Sequence, residues 1–73
     1  MKQRVHMICI LKNGRVIKDT VKINKEELIH VNRLKAEIED SLAKAPGDLK
    51  RMTNFTFAHT TVILDEVAAV KIW

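Results

Sequence analysis

Asn24 to Ala45 is the stretch that most constrains this chain, because no other segment is long and periodic enough to be a helix. Asn24 is a good N-cap, Glu27 three residues on completes the pattern of a capping box, and Ile23 is placed to staple against Leu28. At about 100° per residue, Leu28, Val31, Leu34, Ile38, Leu42 and Ala45 fall within an arc of roughly 120°, interrupted by Lys35, whose stem can lie along apolar surface. Pro46 disfavours helical geometry at Ala45, Gly47 can take positive φ, and Glu26, Glu27 and Lys44 complement the helix dipole. A helix with one apolar face has to pack on something, and the segments on either side of it are β-like.

The segment before the helix reads as a hairpin. Val5 to Leu11 and Val16 to Ile23 are rich in β-branched residues and flank Asn13-Gly14, the strongest two-residue hairpin signal. A type I′ turn at Asn13-Gly14 sets Leu11 opposite Val16, Ile8 opposite Asp19 and His6 opposite Val21. One face then carries Ile8, Ile10, Ile17, Val21 and Ile23, with His6 and Asp19 as intruders. The other carries Val5, Met7, Cys9 and Leu11 beside Lys18, Thr20 and Lys22. One helix covers one face of a small sheet, so the row of Val5, Met7, Cys9 and Leu11 is expected to be covered by a second copy of the chain, with Trp73 also at that interface.

After the turn at Pro46-Gly47-Asp48, Leu49 to Met52 reads as a short helical turn or an irregular crossing. Asn54 to Ala58 alternates Phe55 and Phe57 with polar residues, the pattern of a half-buried strand, and His59-Thr60 reverses the chain into Thr61 to Leu64. Asp65-Glu66 interrupts it before Val67 to Trp73, in which Ala68, Val70 and Ile72 share one face and Val67, Ala69, Lys71 and Trp73 the other. No repeat, linker or low-complexity tract divides residues 1–73, so the chain reads as a single α+β domain of order ββαββ. Its C-terminal part is a β-hairpin whose first segment can split into two short strands, and the helix packs on one face of an antiparallel sheet.

Composition narrows the setting. At 73 residues the core is small, which adds weight to oligomerisation. A single cysteine, Cys9, excludes an internal disulfide and fits a reducing, cytoplasmic compartment. The apolar run Val5 to Leu11 is broken by His6 and too short for a signal peptide or a membrane span, so no membrane partner is expected. Residues 1–23 hold six basic residues and one acidic, whereas residues 24–73 hold seven basic and eight acidic. The surplus positive charge therefore belongs to the hairpin.

A search for chemistry yields no catalytic residue, no metal site and no cofactor. His6, His30 and His59 fall on separate segments without a Cys or carboxylate at ligand spacing. Cys9 and His6, three apart on a strand, point to opposite faces. Asp65 and Glu66 are adjacent carboxylates in a turn, and Asp19 is the carboxylate whose surroundings are most unusual. Gly14 and Gly47 both have turn duties, leaving no phosphate-cradling loop. The protein is accordingly expected not to be an enzyme.

The run Phe55-Thr56-Phe57-Ala58-His59-Thr60-Thr61-Val62-Ile63-Leu64-Asp65-Glu66-Val67-Ala68-Ala69-Val70-Lys71-Ile72 resembles the endings of short phage and prophage accessory proteins. That resemblance implies a compact, often oligomeric product that binds a host or viral component, and it supplies no functional residue. The expected function is a small binding or assembly protein, a homo-oligomer with itself or another protein as partner, acting stoichiometrically. The alternative is a basic nucleic-acid-binding accessory protein, with Lys12, Arg15, Lys18 and Lys22 along one side of the hairpin as phosphate contacts. Against the alternative stands the lack of an aromatic residue in the hairpin to stack on bases.

Overall fold

Asn13-Gly14 turns the chain with one residue more than a type I′ hairpin, and that residue decides which side chains form the core. The computed structural model describes residues 2–45 and 47–73. In it, strands β1 (Gln3–Leu11) and β2 (Val16–Ile23) pair antiparallel with Ile10 opposite Val16, Cys9 opposite Ile17 and Met7 opposite Asp19. Leu11 and Arg15 close the loop: the Arg15 carbonyl accepts from the Leu11 N–H at 2.8 Å, and the Leu11 carbonyl accepts from the Gly14 N–H at 3.0 Å. Gly14 sits at φ 88° and Asn13 is not at positive φ, whereas a type I′ turn requires positive φ at both. The Asn13 carboxamide instead accepts from the Arg15 N–H at 2.9 Å.

A one-residue change of register turns every β2 side chain over relative to β1. The expected face assignment is therefore corrected. Val5, Met7 and Cys9 point inward and are buried, joined by Ile23 and by half-buried Ile17 and Val21. Helix α1 (Leu28–Ala43) follows, then β3 (Asn54–Phe57), β4 (Thr60–Ile63), a 3-10 turn at Leu64–Glu66 and β5 (Val67–Ile72). The α+β class holds, with the strands divided between two antiparallel sheets: β2-β1-β5, and the separate hairpin β3-β4. The segment after the helix does split into two short strands.

Helix and small hairpin together close the core. Ile38 is buried, and Leu28, Val31, Leu34 and Leu42 pack against the buried cluster, as their spacing predicts; Ala45 is exposed and lies beyond the helix. The Asn24 side chain accepts from the Glu27 N–H at 3.0 Å, so it caps a turn at residues 25–27 that leads into α1. Gly47 has φ 91°; the stop signal read at Pro46 lies outside the described residues. Phe55 and Phe57 of β3, Val62 of β4 and Leu64 of the 3-10 turn complete the cluster. Ser41, a buried polar residue on the helix, holds the crossing segment: its hydroxyl accepts from the Met52 N–H at 3.2 Å and its carbonyl from Arg51 Nε at 2.9 Å.

β5 enters the sheet through an irregularity. Leu11 pairs with Val67 but Ile10 pairs with Ala69, so Ala68 is the extra residue of a bulge. The bulge lets Val67 point inward with Val70 and Ile72, where strict alternation would have placed it outside. Ala69, Lys71 and Trp73 share the outward face, the grouping expected for them without Val67.

Candidate functional site

The side chains of β1, β2 and β5 that turn away from the core make an open face arranged in cross-strand rows. Arg4 pairs with Lys22; His6 lies between Thr20 and Trp73; Ile8 lies between Lys18 and Lys71; Ile10 lies between Val16 and Ala69. Successive rows are about 7 Å apart along the strands. Ile10, Val16 and Trp73 are 41%, 52% and 51% exposed, which is unusual for a sheet face and leaves apolar side chains in contact with water. Two rows of cations, Arg4 with Lys22 and Lys18 with Lys71, flank the His6–Trp73 row, and the Ile10–Val16 row lies beyond the second of them toward the hairpin turn. The one carboxylate in these strands, Asp19, points to the opposite side.

Its charge is the whole charge of the chain. Thirteen basic and nine acidic residues give a net of +4, and four of the basic residues stand here, so nine basic and nine acidic residues remain for the rest. Arg4 and Lys22 are direct cross-strand partners, an arrangement that is unfavourable without a counter-charge.

Trp73 and His6 form the aromatic part of the face. Two backbone hydrogen bonds join them, the His6 N–H donating to the Trp73 carbonyl at 2.8 Å and the Trp73 N–H to the His6 carbonyl at 3.0 Å. Their rings stack at 5.3 Å between centroids and 30° between planes. His6 Nδ1 and Thr20 Oγ1 share a hydrogen bond of 3.1 Å on the other side, and the Lys71 ammonium lies 5.5 Å from the indole centroid. A shallow depression of about 230 Å³ opens beside the pair, lined by Ile8, Lys18, Asp19 and Thr20 among others.

The residues singled out in the sequence are redistributed. Lys18 and Lys22 lie on the open face, but Lys12 and Arg15 flank the hairpin turn, where they share a cleft with Asp65 and Glu66. The expected self-association row is overturned in part: Val5, Met7 and Cys9 belong to the chain's own core, and Leu11 is half-buried against it. Trp73 remains exposed. The register shift is the cause, and the β3-β4 hairpin supplies a second cover beside the helix through Phe55, Phe57 and Val62. Arg4, Lys71 and His6 were missed as parts of a site; outward alternation on β1 and β5 was the available signal, but it acquires meaning only once β1 and β5 are adjacent.

Elsewhere the polar groups serve the fold. Asp19, expected on the same face as His6, instead faces the β3-β4 turn, accepting from the Thr60 hydroxyl at 2.8 Å, the Thr20 N–H at 2.8 Å and the His59 N–H at 3.4 Å. The Thr60 bond first, then that from the Thr20 N–H, hold its pKa below the ordinary 3.8; burial opposes them, and His59 adds a lesser lowering. Asp65 pairs with Arg51, which also grips the helix through Ser41. Burial pushes the Cys9 thiol up, away from the reactive thiolate. Among the described residues no three His, Cys, Asp or Glu side chains are grouped to hold a metal ion, and no helix is long and apolar enough to cross a membrane. Compared with known proteins, the chain matches no family model, no curated sequence and no solved structure.

Proposed function

We propose that this protein is a small non-enzymatic binding module whose open sheet face takes up nucleic acid. The observation that carries the reading is the gathering of four cations, Arg4, Lys18, Lys22 and Lys71, on one face to which no acidic side chain of its three strands points. A polyanion neutralises four like charges at once and releases its own counterions, which is the main source of affinity in such contacts. Two-fold docking of the same face onto a second copy would set four cations against four, a repulsion that works against self-association there.

The test is a comparison of two double variants by fluorescence anisotropy with a labelled oligonucleotide. Lys18→Gln/Lys22→Gln should weaken binding and reduce the slope of log affinity against log salt by about two, one per lost phosphate contact. Lys12→Gln/Arg15→Gln, which removes equal charge from the turn, should change both much less. Equal losses in the two variants would reduce the reading to non-specific attraction by net charge.

A further inference from the structure

We infer that the ligand of this face is single-stranded nucleic acid, with one base stacked on the Trp73 indole beside His6. The inference rests on the nucleic-acid reading above and adds what the ligand must expose. Charge alone accounts for phosphate contact, but the face also carries apolar and aromatic side chains: Ile8, Ile10, Val16 and Trp73 gain nothing from a phosphate backbone. They gain from flat apolar surface, and a base offers its face only when it is unstacked from its neighbours.

Shape argues the same way. Three strands about 4.8 Å apart span roughly 10 Å of backbone before side chains are added. A major groove about 12 Å wide takes a helix or a two-stranded ribbon, and a three-stranded sheet with its side chains added exceeds that width, so laying its central strand on the base edges requires the duplex to deform. A single strand can lie across it. The His6–Trp73 row stands between the Arg4–Lys22 row and the Lys18–Lys71 row, which puts cations on both sides of a stacked base.

The indole is also held ready. Backbone pairing with His6, the ring stack and the His6–Thr20 hydrogen bond fix the aromatic pair, so less side-chain freedom is lost on binding. The Lys71 ammonium lies over the indole, 5.5 Å from its centroid, so a stacking base takes its place on the ring and leaves Lys71 beside the base's phosphate.

Trp73 is the only tryptophan, so its emission reports on the proposed contact. Titration with a fifteen-nucleotide thymidine strand, its uridine counterpart, and a duplex of equal phosphate content should quench emission with the single strands and leave it nearly unchanged with the duplex. Whichever sugar binds more tightly, quenching by a single strand supports the inference and names the source. Trp73→Leu should bind the single strand roughly 5- to 150-fold more weakly with an unchanged salt slope, since it removes stacking and no charge. Its far-ultraviolet circular dichroism should match the wild type. Single-strand binding that leaves both emission and the affinity of Trp73→Leu unaltered overturns the stacked base while sparing the charge reading. Tighter binding of the duplex overturns the single-strand assignment, and no binding of any nucleic acid at low salt overturns both.

Discussion

At the scale of single residues, Asp19 shows how one side chain can serve the fold while sitting on a strand that serves the site. It turns inward from β2, binds Thr60 and His59, and so ties the β3-β4 hairpin to the larger sheet. Its carboxyl is held below the ordinary 3.8, so the folded state binds that proton less tightly than the unfolded chain does. The stability it contributes is therefore complete above the unfolded pKa and is lost as the pH falls through the lowered folded value. Melting temperatures recorded from pH 7 down to pH 2 should show Asp19→Asn less stable than wild type at neutrality, with the two curves converging in acid. Parallel curves down to pH 2 would contradict this. Asp19 was legible in the sequence as an anomaly but not as a tether, because its partners lie 40 and 41 residues away.

Among the elements, the β1-β2 hairpin contributes most to the placement of the site. Gly14 holds φ 88° with open space where a Cβ would be, so Gly14→Ala meets backbone strain without a clash. Urea unfolding should show a loss of about 1–2 kcal/mol. A loss near zero would mean that the turn can relax to another type. The hairpin itself was plain from Asn13-Gly14 and its β-branched flanks, whereas its loop length was not. The same dipeptide serves a two-residue turn and a three-residue loop ending in an αL glycine, and the two differ by one residue of register. That residue exchanged the inner and outer faces of β1, taking Val5, Met7 and Cys9 into the core and Ile8 and Ile10 out of it, while Ile17, Val21 and Ile23 of β2 stay inward. The helix was more legible, since its apolar stripe repeats over four turns. Buried Ser41 broke the pattern because its hydroxyl and carbonyl are used by Met52 and Arg51, residues across a loop. The Ala68 bulge left no mark in an already small-residue stretch.

For the molecule as a whole, core and site are the two faces of one sheet. A charge at Met7, 1% exposed, should unfold the chain, while the same charge at Ile10, 41% exposed, should leave it folded. Met7→Glu with a native-like melt, or Ile10→Glu unfolded, would reverse the faces described here. Arg4 and Lys22 oppose each other across β1 and β2, and relieving that pair with Lys22→Gln should stabilise the free protein by about 0.2–1 kcal/mol while weakening nucleic-acid binding. Loss of both stability and binding would mean that Lys22 serves the fold instead. The site is least legible at this scale: Trp73 and His6 meet only because the last strand returns beside the first.

The isoleucine methyls give the most direct test of the central claim, that the open face of the β2-β1-β5 sheet is the nucleic-acid surface. Ile8 and Ile10 lie on that face, Ile38 and Ile72 in the core, Ile29 on exposed helix surface and Ile63 on β4. With isoleucine δ1 methyls labelled, an NMR titration with a thymidine oligonucleotide should move the Ile8 and Ile10 signals first and furthest, and leave Ile29 and Ile63 in place. Movement of Ile29 or Ile63 with Ile8 and Ile10 unchanged would contradict it.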